Sequence, residues 1–96
     1  MKPSEALRTH SATIRRIVES HRARNARVFG SVLRGEDADN SDLDLLVDPL
    51  PGATLFDMGA IQVELEDALG IPVDVLTPGD LPEKFRAQVR REAVPL

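Results

Sequence analysis

The chain has 96 residues, enough for one domain burying roughly 60–65% of its extended-chain surface and too few for a second core. Apolar residues at 42% and charged residues at 29% exclude a disordered or membrane-embedded chain. A formal charge of −4, with Phe29, Phe56 and Phe85 the only aromatic residues, argues against a general nucleic-acid surface, which needs basic side chains and stacking rings.

From about residue 4 to residue 21, Leu7, Ile14, Ile17 and Val18 recur at helical spacing, with Arg8, Arg15, Arg16 and Glu19 on other faces. This predicts an amphipathic helix. Residues 26–30 are a short strand candidate, and the segment to Glu36 can turn once as a helix opened by Ser31. The acidic run EDADN, 36–40, reads as a loop. Leu43, Leu45 and Val47 then alternate with Asp42, Asp44 and Leu46, predicting a strand with one apolar face that Pro49, Pro51 and Gly52 terminate. Thr54 and Asp57 have capping-box spacing, and Leu55, Met58, Ile61, Leu65 and Leu69 form an apolar stripe ending at Gly70, which predicts a helix over 55–69. Residues 73–76 make a third strand, closed by Pro78 and Gly79. Asp80 and Glu83 are placed to cap a last helix whose core face is Phe85 and Val89. The order implies a single α/β domain over 1–96: a small mixed β-sheet with helices packed on one face. The other sheet face is expected to stay partly open, with the aspartates pointing from it.

Without cysteine, a disulfide framework, a thiolate metal site and a cysteine nucleophile are excluded, which suits a reducing cytoplasm. MKPSEALRTHS lacks the apolar core of a signal peptide, and no run approaches a membrane span. A cytoplasmic protein with no membrane partner is the expectation. Charge runs in blocks. Arg15, Arg16, Arg22, Arg24, Arg27 and Arg34 precede Glu36, Asp37, Asp39, Asp42, Asp44 and Asp48. Two readings of the arginines stand, as solvated surface or as a patch facing phosphate or a partner.

Strand residues two apart share a face about 6.6 Å apart, so Asp42 and Asp44 project side by side. If strand 73–76 lies next to theirs, about 4.8 Å away, Asp74 joins them. Each anion raises the pKa of its neighbours, and a divalent cation removes that conflict. Oxygen-only ligands suit Mg²⁺ or Mn²⁺, and Mg²⁺ commonly joins one or two carboxylates to substrate phosphates. Phosphoryl or nucleotidyl transfer is the implied chemistry; an ordinary acidic strand is the alternative. Gly30-Ser31 precedes this pair at a strand-to-helix junction. A glycine there permits close backbone approach, helix-start amides point at an anion, and the Ser31 hydroxyl is a further donor. The same dipeptide also serves as a plain turn with an N-cap. Arg34, one helical turn on, reaches a triphosphate or lies on the surface. Ser41 contacts phosphate or forms an Asx-like turn. Asp48 continues the carboxylate face near the strand end, where solvent takes it, and His10 and His21 read as partly buried or capping residues of the first helix.

GSVLRGEDADNSDLDLLV, 30–47, resembles the Gly-Ser-x10-Asp-x-Asp signature of the DNA polymerase beta-like nucleotidyltransferase superfamily, especially its minimal nucleotidyltransferase branch. The likeness continues through VDVL at 73–76, which places the family's third carboxylate at Asp74, and the closing EAVPL resembles the usual ending of the branch. Leu33 stands where a small residue is frequent. The resemblance implies a nucleotidyltransferase fold, with Asp42 and Asp44 as metal ligands and Asp74 as a ligand and candidate general base. It also implies that Gly30-Ser31 holds the triphosphate of ATP.

Larger members of the superfamily hold their acceptor with an added domain, for which 96 residues leave no room, so the acceptor is expected on a partner. The resemblance supplies one: members of the branch commonly pair with HEPN-domain proteins, α-helical toxins with RNase activity, and act as their antitoxins. Some transfer AMP from ATP to a toxin tyrosine. The first reading is therefore an antitoxin that adenylylates a HEPN toxin using Mg²⁺ or Mn²⁺. The second is a non-catalytic antitoxin that masks its toxin by stoichiometric binding. A small-molecule nucleotidyltransferase acting on an antibiotic is the third, disfavoured by the missing acceptor domain.

Overall fold

A computed structural model describes residues 1–96. Helix α1, Pro3–Glu19, starts with a proline in the turn whose amides have no intrahelical acceptor in any case. It buries Ala6, Ile14, Ile17 and Val18 and kinks at His10, where φ is −128° and ψ is 19°.

Strand β1 runs Ala23–Phe29, three residues earlier than the expected 26–30. The alternation is hidden by a bulge. Arg24 pairs with Asp48 but Arg27 pairs with Leu46, so β1 carries one residue more than its partner, and Asn25 takes a left-handed φ of +56°. The extra residue turns both Ala23 and Ala26 into the core. Strand β2, Leu43–Pro49, is antiparallel to β1 and parallel to β3, Val73–Leu76. A short strand β4, Val94–Pro95, pairs antiparallel with β1 at the far edge, giving the mixed order β3-β2-β1-β4. Nothing in the sequence pattern predicts β4, since two residues show no alternation. The Arg15 Nη1 donates to the Leu96 carbonyl at 3.1 Å and ties this end to α1.

Helix α2, Leu55–Leu69, has the predicted limits because both ends are marked. The Asp57 amide donates to the Thr54 Oγ1 at 3.4 Å, the Thr54 amide donates to the Asp57 Oδ2 at 2.8 Å, and Gly70 closes the helix at φ +69°. Ile61, Leu65 and Leu69 face inward with α1 against Leu43, Leu45, Val47 and Val73. Leu55, expected in that stripe, is instead 85% exposed. It lies about 80° around the helix from the middle of the buried residues.

Leu46 corrects the picture of an open polar face, being fully buried although it shares that face with Asp44. Its neighbour across the strands is Arg27, whose Nη2 and Nη1 donate to Asp48 Oδ1 and Oδ2 at 3.0 and 3.2 Å. The Arg27 side chain is only 12% exposed, and its stem covers the leucine.

Helix α3, Glu83–Glu92, also departs from expectation, since none of its residues is buried and Phe85 is 46% exposed. Phe85 and Val89 face Phe29 and Gly30 across a groove and do not join the core. Asp80 does not cap α3, whose N-cap is Pro82. Its carboxylate accepts from the Thr77 amide at 2.9 Å and closes the 3-10 turn Pro78–Asp80.

Candidate active site

The parallel register of β2 and β3 sets Asp44 directly opposite Asp74, the adjacency on which the expected carboxylate cluster depends. Asp44 is half-buried and Asp74 exposed. The Asp44 carboxyl is pushed up to about 6, first by burial and then by the charges of Asp74 and Asp42 and a hydrogen bond to Asp74. The Arg34 guanidinium opposes the shift. Asp42 stands one residue ahead of β2 and is exposed, close enough for its charge to act on Asp44. No group of three or more His, Cys, Asp or Glu side chains closes to a common ligating point. The structure thus brings Asp44 and Asp74 together and keeps Asp42 a step outside them.

Gly30 follows β1 at φ +84°, a conformation that disfavours any residue with a Cβ. A Cβ there would also overlap the Asp44 Oδ2 and come within 3.2 Å of its Cγ. The bare backbone at Gly30 and the half-buried carboxylate of Asp44 therefore occupy one site. Gly30–Val32 forms a 3-10 turn in place of the expected helix, with Phe29 at the cap position and no side-chain cap. The Ser31 hydroxyl is accordingly not used as an N-cap. The Arg34 side chain is 61% exposed and its Nε donates to the Glu36 Oε2 at 3.2 Å, leaving the rest of the guanidinium to face a ligand.

Ser41 is engaged locally. Its Oγ accepts from the Ala38 amide at 2.8 Å, and its amide donates to the Ala38 carbonyl at 3.0 Å, which closes the loop ahead of Asp42. Asp37 in the same loop accepts from the Ser4 amide at 3.0 Å, and that bond holds its carboxyl below the usual range. Asp48 is satisfied by Arg27 and by the Asn25 Nδ2, which donates to it at 2.9 Å, so protein groups and not solvent take up its charge. His21 pairs through Nε2 with the Glu64 Oε1 at 2.9 Å, and His10 is partly buried at the α1 kink.

The site has a further feature that the sequence marks only weakly. A groove of ≈ 340 Å³ beside Gly30 is lined by Phe29, Arg34, Phe85, Gln88, Val89 and Glu92, within the size range of small-molecule sites. Its signal was the i, i+4 pair Phe85 and Val89, a spacing that marks an apolar helix face without saying what the face meets.

Oxygen donors alone, one half-buried and raised in pKa by burial and by its neighbours, match the donor set that Mg²⁺ or Mn²⁺ accepts. Residues 12–96 match the polymerase beta nucleotidyltransferase family. Protein adenylyltransferase MntA of Thermococcus cleftensis is 37% identical over 71 residues, covering 74% of this chain and 72% of that protein. A solved structure provisionally assigned as a minimal nucleotidyltransferase superposes with a TM-score of 0.86 at 43% identity, covering 97% of this chain and 95% of the other. A chain from a toxin–antitoxin crystallised with AMP-PNP shares the fold, with a TM-score of 0.75 at 19% identity over 90% of this chain and 71% of its own. The chain belongs to the polymerase beta-type nucleotidyltransferase family, in its minimal nucleotidyltransferase branch.

Proposed function

We propose that this nucleotidyltransferase is an antitoxin that transfers AMP from ATP to a HEPN-domain toxin and so neutralises it. The observation that carries the reading is the contact of Gly30 with Asp44, opposite Asp74: a backbone turn open to an anion lies against carboxylates that need a cation. The names of the relatives support an adenylyl group as the cargo and a protein as its acceptor. The neighbour with AMP-PNP supports a toxin as that protein.

In this mechanism the Gly30-Ser31 turn and Arg34 hold the triphosphate, and the groove beside α3 supplies an apolar wall for the nucleoside. Asp44 and Asp74, joined by Asp42 from the loop ahead of β2, would hold the divalent cation, Mg²⁺ or Mn²⁺. Bound there, it would neutralise charge on the α-phosphoryl group and the departing pyrophosphate. Asp74, exposed at the open edge strand, accepts the proton of the acceptor hydroxyl. The hydroxyl oxygen bonds to the α-phosphorus as the α–β phosphoanhydride bond breaks, leaving an adenylylated toxin and pyrophosphate. Ser41 acts through the loop it closes, which sets the approach of Asp42.

Incubating the chain with ATP, Mg²⁺ and the toxin should add an adenylyl group to the toxin by intact mass, and Asp44→Asn should abolish the addition. Neutralisation that persists in Asp44→Asn, with no mass gain produced by the wild type, refutes transfer in favour of stoichiometric masking.

A further inference from the structure

Helix α2 is apolar on two sides. Its inward face fills the core, yet Leu55, Phe56 and Val63 are 85%, 90% and 58% exposed. Phe56, Gly59 and Val63 follow the i, i+3, i+7 spacing of a single helical face, with Ala60 beside them. Gly59 has nothing within 4 Å of where a Cβ would stand, so the small residues make a notch between two apolar knobs. A notch between knobs is the shape into which a ridge of another helix packs. The charged residues of α2 are Asp57, Glu64, Glu66 and Asp67, with no Lys or Arg among them. Exposed Glu64 and Asp67 continue the outward face beyond Val63, and Arg16 of α1 faces them across a groove. An acidic helix repels anionic lipid and nucleic acid, which leaves protein as the occupant. A second copy fits poorly, because a two-fold contact of α2 with itself sets Glu64 and Asp67 either against themselves or against Phe56.

We propose that the outward face of α2 is the docking surface for the toxin, taken up by an amphipathic toxin helix. Apolar side chains of that helix enter the notch between Phe56 and Val63, and Lys or Arg side chains meet Glu64 and Asp67. This rests on the antitoxin reading but concerns a different face. α2 packs on the side of the sheet opposite Asp44, so docking leaves the carboxylates uncovered for a hydroxyl that the same toxin carries round the β3 edge.

The test is calorimetric titration of the HEPN-domain toxin into the wild-type chain, the Phe56→Ser/Val63→Ser double variant, Asp67→Lys and Asp44→Asn. Both replaced apolar residues are exposed, so the double variant should melt with the wild type and bind ATP equally well. Its toxin affinity should fall at least about tenfold, as expected on removing an aromatic anchor. Asp67→Lys should weaken binding about threefold or more, and Asp44→Asn should bind as the wild type does. Unchanged affinity in the double variant overturns the proposal. So does a wild-type chain that dimerises alone through these residues, by sedimentation. If the double variant loses the toxin while no chain ever adenylylates it, docking stands and the transfer reading fails. If the double variant adenylylates limiting toxin at the wild-type rate, transfer stands and docking fails.

Discussion

Replacing Asp44 by asparagine should remove activity and stabilise the fold. Asp44 titrates near 6 in the folded chain, against 3.8 for an unperturbed carboxyl. At about pH 3 and below, both folded and unfolded states hold the proton and the site costs little. As pH rises towards 6 the unfolded chain releases its proton first, so stability falls, and above 6 the full cost is present. The shift corresponds to about 3 kcal/mol at most, and solvent at this half-open site reduces it to about 1–2 kcal/mol. Asparagine keeps the shape, carries no charge and can donate to Asp74. Its melting temperature at about pH 7.5 without divalent ions should therefore exceed that of the wild type by about 4–8 °C for each kcal/mol recovered. At about pH 3 the difference should vanish, and added Mg²⁺ should raise the wild-type midpoint at about pH 7.5 while leaving the variant where it is. Calorimetry at the two pH values decides the matter. A variant that melts below the wild type at about pH 7.5, or a gap that persists undiminished at about pH 3, refutes the account of carboxylate repulsion.

Gly30→Ala should cost about 1–3 kcal/mol by thermal melting, because a Cβ at φ +84° also meets the Asp44 carboxylate, and transfer to the toxin should be lost with it. Arg27→Ala should destabilise by about 1–2 kcal/mol, since it uncovers Leu46 and strips Asp48 of its cation; Arg27→Met should recover the covering part alone. Thr54→Ala should cost about 1 kcal/mol through loss of the α2 capping box, with ATP binding unchanged by calorimetry.

What the sequence reveals depends on how local each signal is. α2 is legible to the residue because Thr54, Asp57 and Gly70 announce its ends through bonds made within four residues. The start of β1 is not, because its bulge shifts the alternation by one residue and gives Ala23 and Ala26 the i, i+3 spacing of a helix in place of the strand period. Gly30, Asp44 and Asp74 can be placed together because strand periodicity and one assumed neighbour suffice, and the parallel register supplies that neighbour. The role of α3 needs knowledge of what lies opposite. Phe85 and Val89 have the spacing of a core face whether they meet a core or a groove, and here they meet Phe29 and Gly30. Phe56 carries the reverse lesson. It lies in a strongly apolar helix, and only the packed structure shows that it points to solvent.

The bulge also bears on chemistry. Asp44, Leu46 and Asp48 share one face of β2, and a run of carboxylates there would compete for a cation and repel one another along the strand. By adding a residue to β1, the bulge sets Arg27 opposite Leu46, from where its guanidinium grips Asp48. Asp48 is thereby neutralised by the protein itself, and Leu46 is sealed from water beneath the pair. The face divides into a closed half that contributes stability and an open half where the carboxylate of Asp44 keeps Asp74 as its neighbour and receives from the fold only the weaker opposing charge of Arg34. The unneutralised charge on the open half is what a metal–nucleotide complex can relieve. Substituting Arg27 should therefore blur the division and slow nucleotide transfer, even though Arg27 approaches no substrate.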